Sequence, residues 1–293
     1  MSEERFKFAP AVRTNTPMII GISGASGSGK TYTALELAMG LAGDAGKIAF
    51  IDTEGRRALH YADYHEFRFD HLDFRAPYHP RRFLGALQYA ENQQYAVIIV
   101  DSFSDEYVGE GGLVDLANAE HERMKGNTAA AWARPKAEHK LVTRWLRQSR
   151  CHVLFCLRAE DKVKLEKVMR NGREQTVVVP IGWVSVCEKN VPYEMTLSFM
   201  LTPDAPGFPK PIKLQEQHKG LFPLDRPITR QTGVELARWC AGGAPRPPRA
   251  APAERDEDAT YTAGSPGLSS TTGENPMFER VRRENESADM PQF

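Results

Sequence analysis

The eight residues Gly24-Ala25-Ser26-Gly27-Ser28-Gly29-Lys30-Thr31 constrain this chain more than any other stretch. They keep the spacing of a phosphate cradle: a glycine, four residues, then Gly-Lys-Thr. Glycines let backbone N–H groups close around phosphate oxygens without a Cβ in the way. A helix that starts at the end of the loop adds unpaired N–H donors and the positive end of its dipole. Lys30 then supplies a cation for the outer phosphates, and Thr31 a hydroxyl ligand for Mg2+. A plain flexible Gly/Ser turn has the same composition. Here, however, the octet follows an apolar run at 18–22 and opens a helical pattern at 31–41, with Gly43 as its stop. Strand, loop, helix is the context that the cradle requires.

The rest of the body alternates in the same way. Strands are expected at 47–52, 95–101 and 152–157, and helices at 81–93, 112–124 and 135–148. The run Tyr-Ala-Val-Ile-Ile-Val-Asp ending at Asp101 is apolar throughout, as in a strand buried on both faces. Alternating strands and helices imply parallel pairing through right-handed crossovers, hence an α/β fold with a central sheet flanked by helices. Beyond 160 the pattern changes. The arms 163–169 and 174–179 flank Arg170-Asn171-Gly172-Arg173, and Asn-Gly between β-rich arms predicts a hairpin. Further strands are expected at 193–201 and 211–215, with a closing helix at 233–240. From 241 to 293 the chain is rich in Pro, Ala, Gly, Ser and charge, and is read as a disordered tail. The division is an N-terminal extension at 1–16, a nucleotide-binding domain at 17–240, and the tail.

Charge points nowhere in particular: 38 basic residues balance 38 acidic ones. No apolar run is long enough to span a bilayer, and MSEERFKFAP lacks the apolar core of a targeting segment. Cys151, Cys156, Cys187 and Cys240 show no metal-ligand spacing and read as core thiols in a reducing, cytoplasmic setting. The histidines between His60 and His79 lack the frame of a metal site and read as surface or satisfied side chains.

A phosphate loop needs an acidic partner at the end of a neighbouring strand. Asp101 fits, holding Mg2+ through water with Ser102 beside it. Hydrolysis needs a group that orients or deprotonates water. Glu54, in Asp52-Thr53-Glu54-Gly55 at the end of the second strand, is the candidate. Asp105 and Glu106, just past Asp101, are its rivals. For each of the three, an ordinary solvated loop carboxylate is the alternative.

Ile51-Asp52-Thr53-Glu54-Gly55 and Val100-Asp101-Ser102 together resemble the RecA/RadA recombinase superfamily of P-loop ATPases. The resemblance implies a RecA-like mostly parallel sheet, ATP and Mg2+ as cofactors, Glu54 as catalytic base and Asp101 as the Mg2+-associated acid. It also implies a γ-phosphate sensor at the end of the fourth strand, where Arg158 stands in place of the usual Gln. Arg158 can contact the γ-phosphate or pair with Glu160 or Asp161 as a surface ion pair. The body further resembles the compact RecA-like ATPases of bacteriophages and prophages, through GISGASGSGKTYTAL, IIVDSFSDE, AWARPKAEHKLV, LFCLRAEDK and VPYEM. That resemblance implies a role in DNA recombination, single-strand annealing or replication, in the host cytoplasm, and homo-oligomers.

Two segments are candidates for single-stranded DNA. One is the hairpin with Lys162, Lys164, Lys167, Arg170 and Arg173, whose interleaved Glu160, Asp161, Glu166 and Glu174 dilute its field. The other is a mobile loop expected between Asp105 and Arg134, where Trp132 either stacks on a base or anchors packing. The terminal ESADMPQF is loosely similar to the tail tips of single-stranded-DNA-binding proteins, which suggests a shared partner; a tail end without function is the alternative. Two other readings remain open: a P-loop small-molecule kinase, with Arg158 in a lid, and a non-hydrolysing nucleotide-dependent scaffold.

Overall fold

The computed structural model describes residues 10–242, except 14, 126, 171, 172 and the side chains of Arg170 and Arg173. The tail expected from 241 thus falls outside the described residues beyond Gly242, as does most of the N-terminal extension. In chain order the elements are β1 (Ile19–Gly24), α1 (Lys30–Ala42), β2 (Ile48–Asp52), β3 (Asp70–Asp73), α2 (Pro80–Asn92) and β4 (Val97–Asp101). Then come α3 (Ser104–Val108), α4 (Leu113–Arg123), α5 (Thr128–Ala131), α6 (Ala133–Leu146), β5 (His152–Arg170) and β6 (Arg173–Ser185). The body closes with α7 (Val191–Glu194), β7 (Leu197–Thr202), β8 (Ala205–Lys213) and α8 (Arg230–Ala241). Short 3-10 turns lie at Arg57–Tyr61, Tyr64–Glu66 and Glu216–Leu221.

The sheet order is β3-β2-β4-β5-β1-β7-β8, with β6 paired to β5 alone. Pairing is parallel from β3 through β7 and antiparallel for β8 on β7 and β6 on β5. This is the expected architecture: a mostly parallel sheet flanked by helices, with a hairpin beyond it.

Alternate strand residues feed two cores, one on each face. Ile20, Ile22, Phe50 and Ile99 pack with Leu35, Leu37 and Leu236 beneath α1 and α8. Ile19, Ile51, Ile98 and Val100 pack with Phe83, Leu87 and Val142 beneath α2 and α6. Burial on both faces is why these strands are apolar throughout. Cys156 and Cys151 fall in opposite cores, and all four cysteines are free.

Several expectations are corrected. The fourth expected strand does not end at Leu157; β5 is 19 residues long, His152–Arg170, and its outer part is itself the first arm of the hairpin. A short edge strand, β3, has no counterpart among the expected elements because Asp70-His71-Leu72-Asp73 has almost no β-rich character. Tyr193 and Glu194 belong to the turn of α7, and the strand starts only at Leu197. In the segment from Asp105 to Arg134, read as a mobile loop around the helix expected at 112–124, that helix is α4, and the short helices α3 and α5 take up much of the rest.

Candidate functional site

The cradle sits where β1 hands over to α1. Gly29 is the N-cap of α1 with φ 85°, a left-handed conformation that favours glycine. Gly24 is packed so closely that a Cβ there would lie 2.6 Å from the Leu201 carbonyl oxygen. Ser28 donates to the Ala25 carbonyl oxygen at 2.8 Å, and Lys30 Nζ donates to the same atom at 2.9 Å. Lys30 is thereby folded back over the loop.

Asp101 is expected on a strand neighbouring β1. In the structure β5 lies between β1 and β4, so Asp101 is one strand removed. Its carboxylate still reaches the cradle, because Thr31 Oγ1 donates to Asp101 Oδ2 at 2.6 Å. Burial pushes the Asp101 carboxyl up to about 6; the Thr31 hydrogen bond and Lys30 oppose the shift, while Glu54 and Asp52 add to it. A desolvated carboxylate beside a hydroxyl is an oxygen donor pair suited to a hard divalent cation. Thr31 and Asp101 are therefore the residues that would hold Mg2+.

Two clefts flank Lys30. One, of about 480 Å³, is lined by Gly27, Gly29, Thr31, His60, Tyr61 and Asp101 among others. The second, of about 530 Å³, is lined by Ala25, Tyr78, Asp105, Arg158 and Glu160 among others. Ser26, Lys30, Glu54 and Arg57 line both.

A protein-family profile described as an AAA domain matches residues 16–197, more than half of the chain. The chain belongs to this AAA domain family. No curated protein matches it. Among solved structures it is similar to the KaiC-like protein PH0186 from the hyperthermophilic archaeon Pyrococcus horikoshii OT3, at 13% identity and a TM-score of 0.32. That similarity covers 56% of this chain and 78% of the archaeal one.

In this AAA-type P-loop ATPase domain the three carboxylates weighed for water activation have different surroundings. Glu54 is about a quarter exposed, opens to both clefts, and pairs with Arg57 at 3.1 Å. Glu106 is 1% exposed and bonded to His139 Nδ1 at 2.8 Å, beneath the surface. Burial alone would lower the His139 pKa, but the Glu106 hydrogen bond and the charges of Glu106, Glu188 and Glu194 raise it overall. Asp105 accepts from Thr53 Oγ1 and from Arg158 Nη2. Arg158 thus pairs with Asp105, not with Glu160 or Asp161. The reason is position: Arg158 is the last residue of β5 still level with β1, and its N–H is tied to Ser104 Oγ at 2.8 Å beside Asp105.

Four site-lining residues are not singled out by the sequence: Arg57, His60, Tyr61 and Tyr78. The first three lie on a 3-10 turn that brings the chain back toward the cradle. Tyr78 donates to the Thr53 carbonyl oxygen at 3.3 Å. No local spacing marks any of them. The expected DNA segments also take definite form. Trp132 is half-buried and stacks on Tyr107 with ring centroids 6.3 Å apart, as a packing anchor does. On the hairpin, Lys162, Lys164 and Lys167 pair with Glu160, Glu166 and Glu174 at 3.8, 3.2 and 3.3 Å. Among the described residues no helix is long and apolar enough to cross a membrane, and no metal-ligating His/Cys/Asp/Glu cluster occurs.

Proposed function

We propose that this chain is a Mg2+-dependent ATPase that uses nucleotide turnover to act on single-stranded DNA, in phage-type recombination, annealing or replication. The observation that carries the ATPase reading is the convergence on one cradle of Lys30, the Thr31–Asp101 pair and the solvent-reachable Glu54. The nucleoside is assigned to the cleft lined by His60 and Tyr61, aromatic side chains of the kind that can stack on a base. Bound Mg2+ would offset phosphate charge. Lys30 offsets more of it and orients the outer phosphates. Glu54 polarises the attacking water and accepts its proton. The water oxygen bonds to the γ-phosphorus as the bond to the β,γ-bridging oxygen breaks, and that electron pair leaves with ADP. Arg158, paired with Asp105 in the second cleft, faces the space beyond Lys30 and is placed to answer the γ-phosphate.

The DNA part rests on the resemblance to phage RecA-like ATPases. Because the hairpin lysines already have carboxylate neighbours, phosphates would have to compete for them, and the hairpin contributes a weak field. Homo-oligomers fit a site that leaves Glu54 and both clefts open. The tail tip, which lies outside the described residues, suggests a partner shared with single-stranded-DNA-binding proteins, and such a protein acting on the same strand is a further proposed partner. The small-molecule kinase reading has one observation in its favour, the polar cleft beyond Lys30 with Tyr78, Arg158 and Glu160.

Steady-state ATP turnover with and without single-stranded DNA, for wild type and Glu54→Gln, separates these readings. The expected result is DNA-stimulated turnover that drops by about 100-fold or more in Glu54→Gln, with ATP retained on filters. Turnover indifferent to DNA, or to the substitution, would sink the proposal and direct attention to a small-molecule phosphoryl acceptor or another base.

A further inference from the structure

The loop after β2 is built around one arginine. Asp52 is buried at the strand end, and its carboxylate accepts from the Glu54 N–H at 2.7 Å and the Ala58 N–H at 3.0 Å, with His71 Nε2 at 3.0 Å. One carboxylate therefore pins the loop on both sides of residues 55–57. Between the pins, Gly55 and Arg56 are both left-handed at φ 70°. For Arg56 that conformation costs about 1–2 kcal/mol. The double turn reverses the chain and returns Arg57 to Glu54, with Nη1 3.1 Å from Oε2.

Stability does not explain this arrangement. The Arg57 side chain is 73% exposed, and a pair so open to water contributes little. Its position is informative instead. Arg57 shares the lining of both clefts with Lys30 and Glu54. No spacing in the sequence marks an arginine finger for this site, and Arg57 is the arginine that lines both clefts beside the cradle lysine.

We propose that Arg57 is the cis-acting cation of this site: it pairs with Glu54, turns to the γ-phosphate when nucleotide binds, and so frees Glu54 for water. This rests on the reading of Glu54 above. A guanidinium suits both partners, since its planar fork matches carboxylate and phosphate oxygens alike. The exchange needs only side-chain rotation, because the backbone on both sides is clamped by Asp52. It also gives the base a charge partner whose departure is coupled to nucleotide arrival.

The test compares full-length wild type, Arg57→Ala, Arg57→Lys, Glu54→Gln and the Arg57→Ala/Glu54→Gln pair. Turnover is measured with Mg2+, ATP and single-stranded DNA, and binding by ATP retention on filters. Arg57→Ala is expected to lose at least about 100-fold in kcat while ATP affinity shifts less than about threefold. Arg57→Lys should recover part of the loss, because it keeps the charge and loses the fork. The double variant should be scarcely slower than Glu54→Gln alone, since two residues acting as a unit are not additive. Turnover of Arg57→Ala within about twofold of wild type overturns the inference. Equal losses of binding and turnover overturn it too, for Arg57 would then hold only the ground state. If wild type turns over, Glu54→Gln is slow and Arg57→Ala is fast, this inference alone fails. If wild type is inert, or Glu54→Gln is as fast as wild type, the reading beneath it fails and takes this one with it.

Discussion

Strand β5 crosses two environments without a break. From His152 to Leu157 it lies between β4 and β1, with Val153, Leu154, Phe155, Cys156 and Leu157 fully buried. From Asp161 onward only β6 stands beside it, and Val163, Leu165 and Met169 are 59–72% exposed. The backbone is extended in both halves, yet the sequence obeys different rules. The inner half is apolar at every step because both faces are covered. The outer half mixes Lys, Glu and Val because water reaches both faces. A two-stranded ribbon is marginally stable alone, so the sheet carries the stability and the ribbon adds little to it. Arg158 stands at the junction. It ties the outer half to Asp105, and through Thr53 to the loop that bears Glu54.

The contrast can be broken most directly by truncation. Leu154→Ala should cost about 2–5 kcal/mol by urea denaturation, whereas Leu165→Ala should stay within about 0.5 kcal/mol. Similar losses at the two sites would mean that the hairpin is packed in solution.

Acid sharpens the same contrast. His152 begins the inner half, and its Nδ1 accepts the Met18 N–H at 3.1 Å, so it is held neutral. Burial lowers its pKa to about 4 from an ordinary value of 6.5. The unfolded chain therefore binds the proton first. Stability from this group is complete above about pH 6.5 and is lost as pH falls toward about 4, by up to roughly 3 kcal/mol. His152→Asn, which can keep an acceptor, should flatten that slope in melts taken across the window. An unchanged slope would place the acid sensitivity elsewhere. His139, with a raised pKa, acts with the opposite sign: its contribution is complete below 6.5 and fades as pH rises past its folded value.

Smaller effects are expected outward. Arg158→Ala should change folding stability by about 1 kcal/mol or less, since the guanidinium is partly exposed. Lys164→Ala on the ribbon should be nearly silent, within about 0.5 kcal/mol. If Lys164→Ala proved costlier than Arg158→Ala by the same denaturation measurement, the junction would not be where the two halves differ.

The strand–loop–helix at the cradle, the doubly buried strands and the hairpin of β5 and β6 are legible in the sequence. Each depends on neighbours a few positions apart: glycines at fixed steps, an unbroken apolar run, a turn dipeptide between β-rich arms. The strand extents are less legible. Nothing local tells β5 to run unbroken from Leu157 into the hairpin arm at 163–169, because the pairing with β6 that joins them comes from later in the chain. Edge strand β3 escapes for a related reason, its polar residues being tolerated where one side meets water.

The site divides along the same line. That Lys30 and Thr31 share a cradle follows from adjacency in the chain. That Thr31 meets Asp101 across 70 positions, and Arg158 meets Asp105 across 53, follows from the sheet order. Strand order has no local signature. It is settled by how two apolar faces are covered at once, with β5 placed between β1 and β4. The left-handed turn that returns Arg57 to Glu54 is of the same kind. It exists because the buried carboxylate of Asp52 clamps both of its ends, and that burial is a property of the folded sheet.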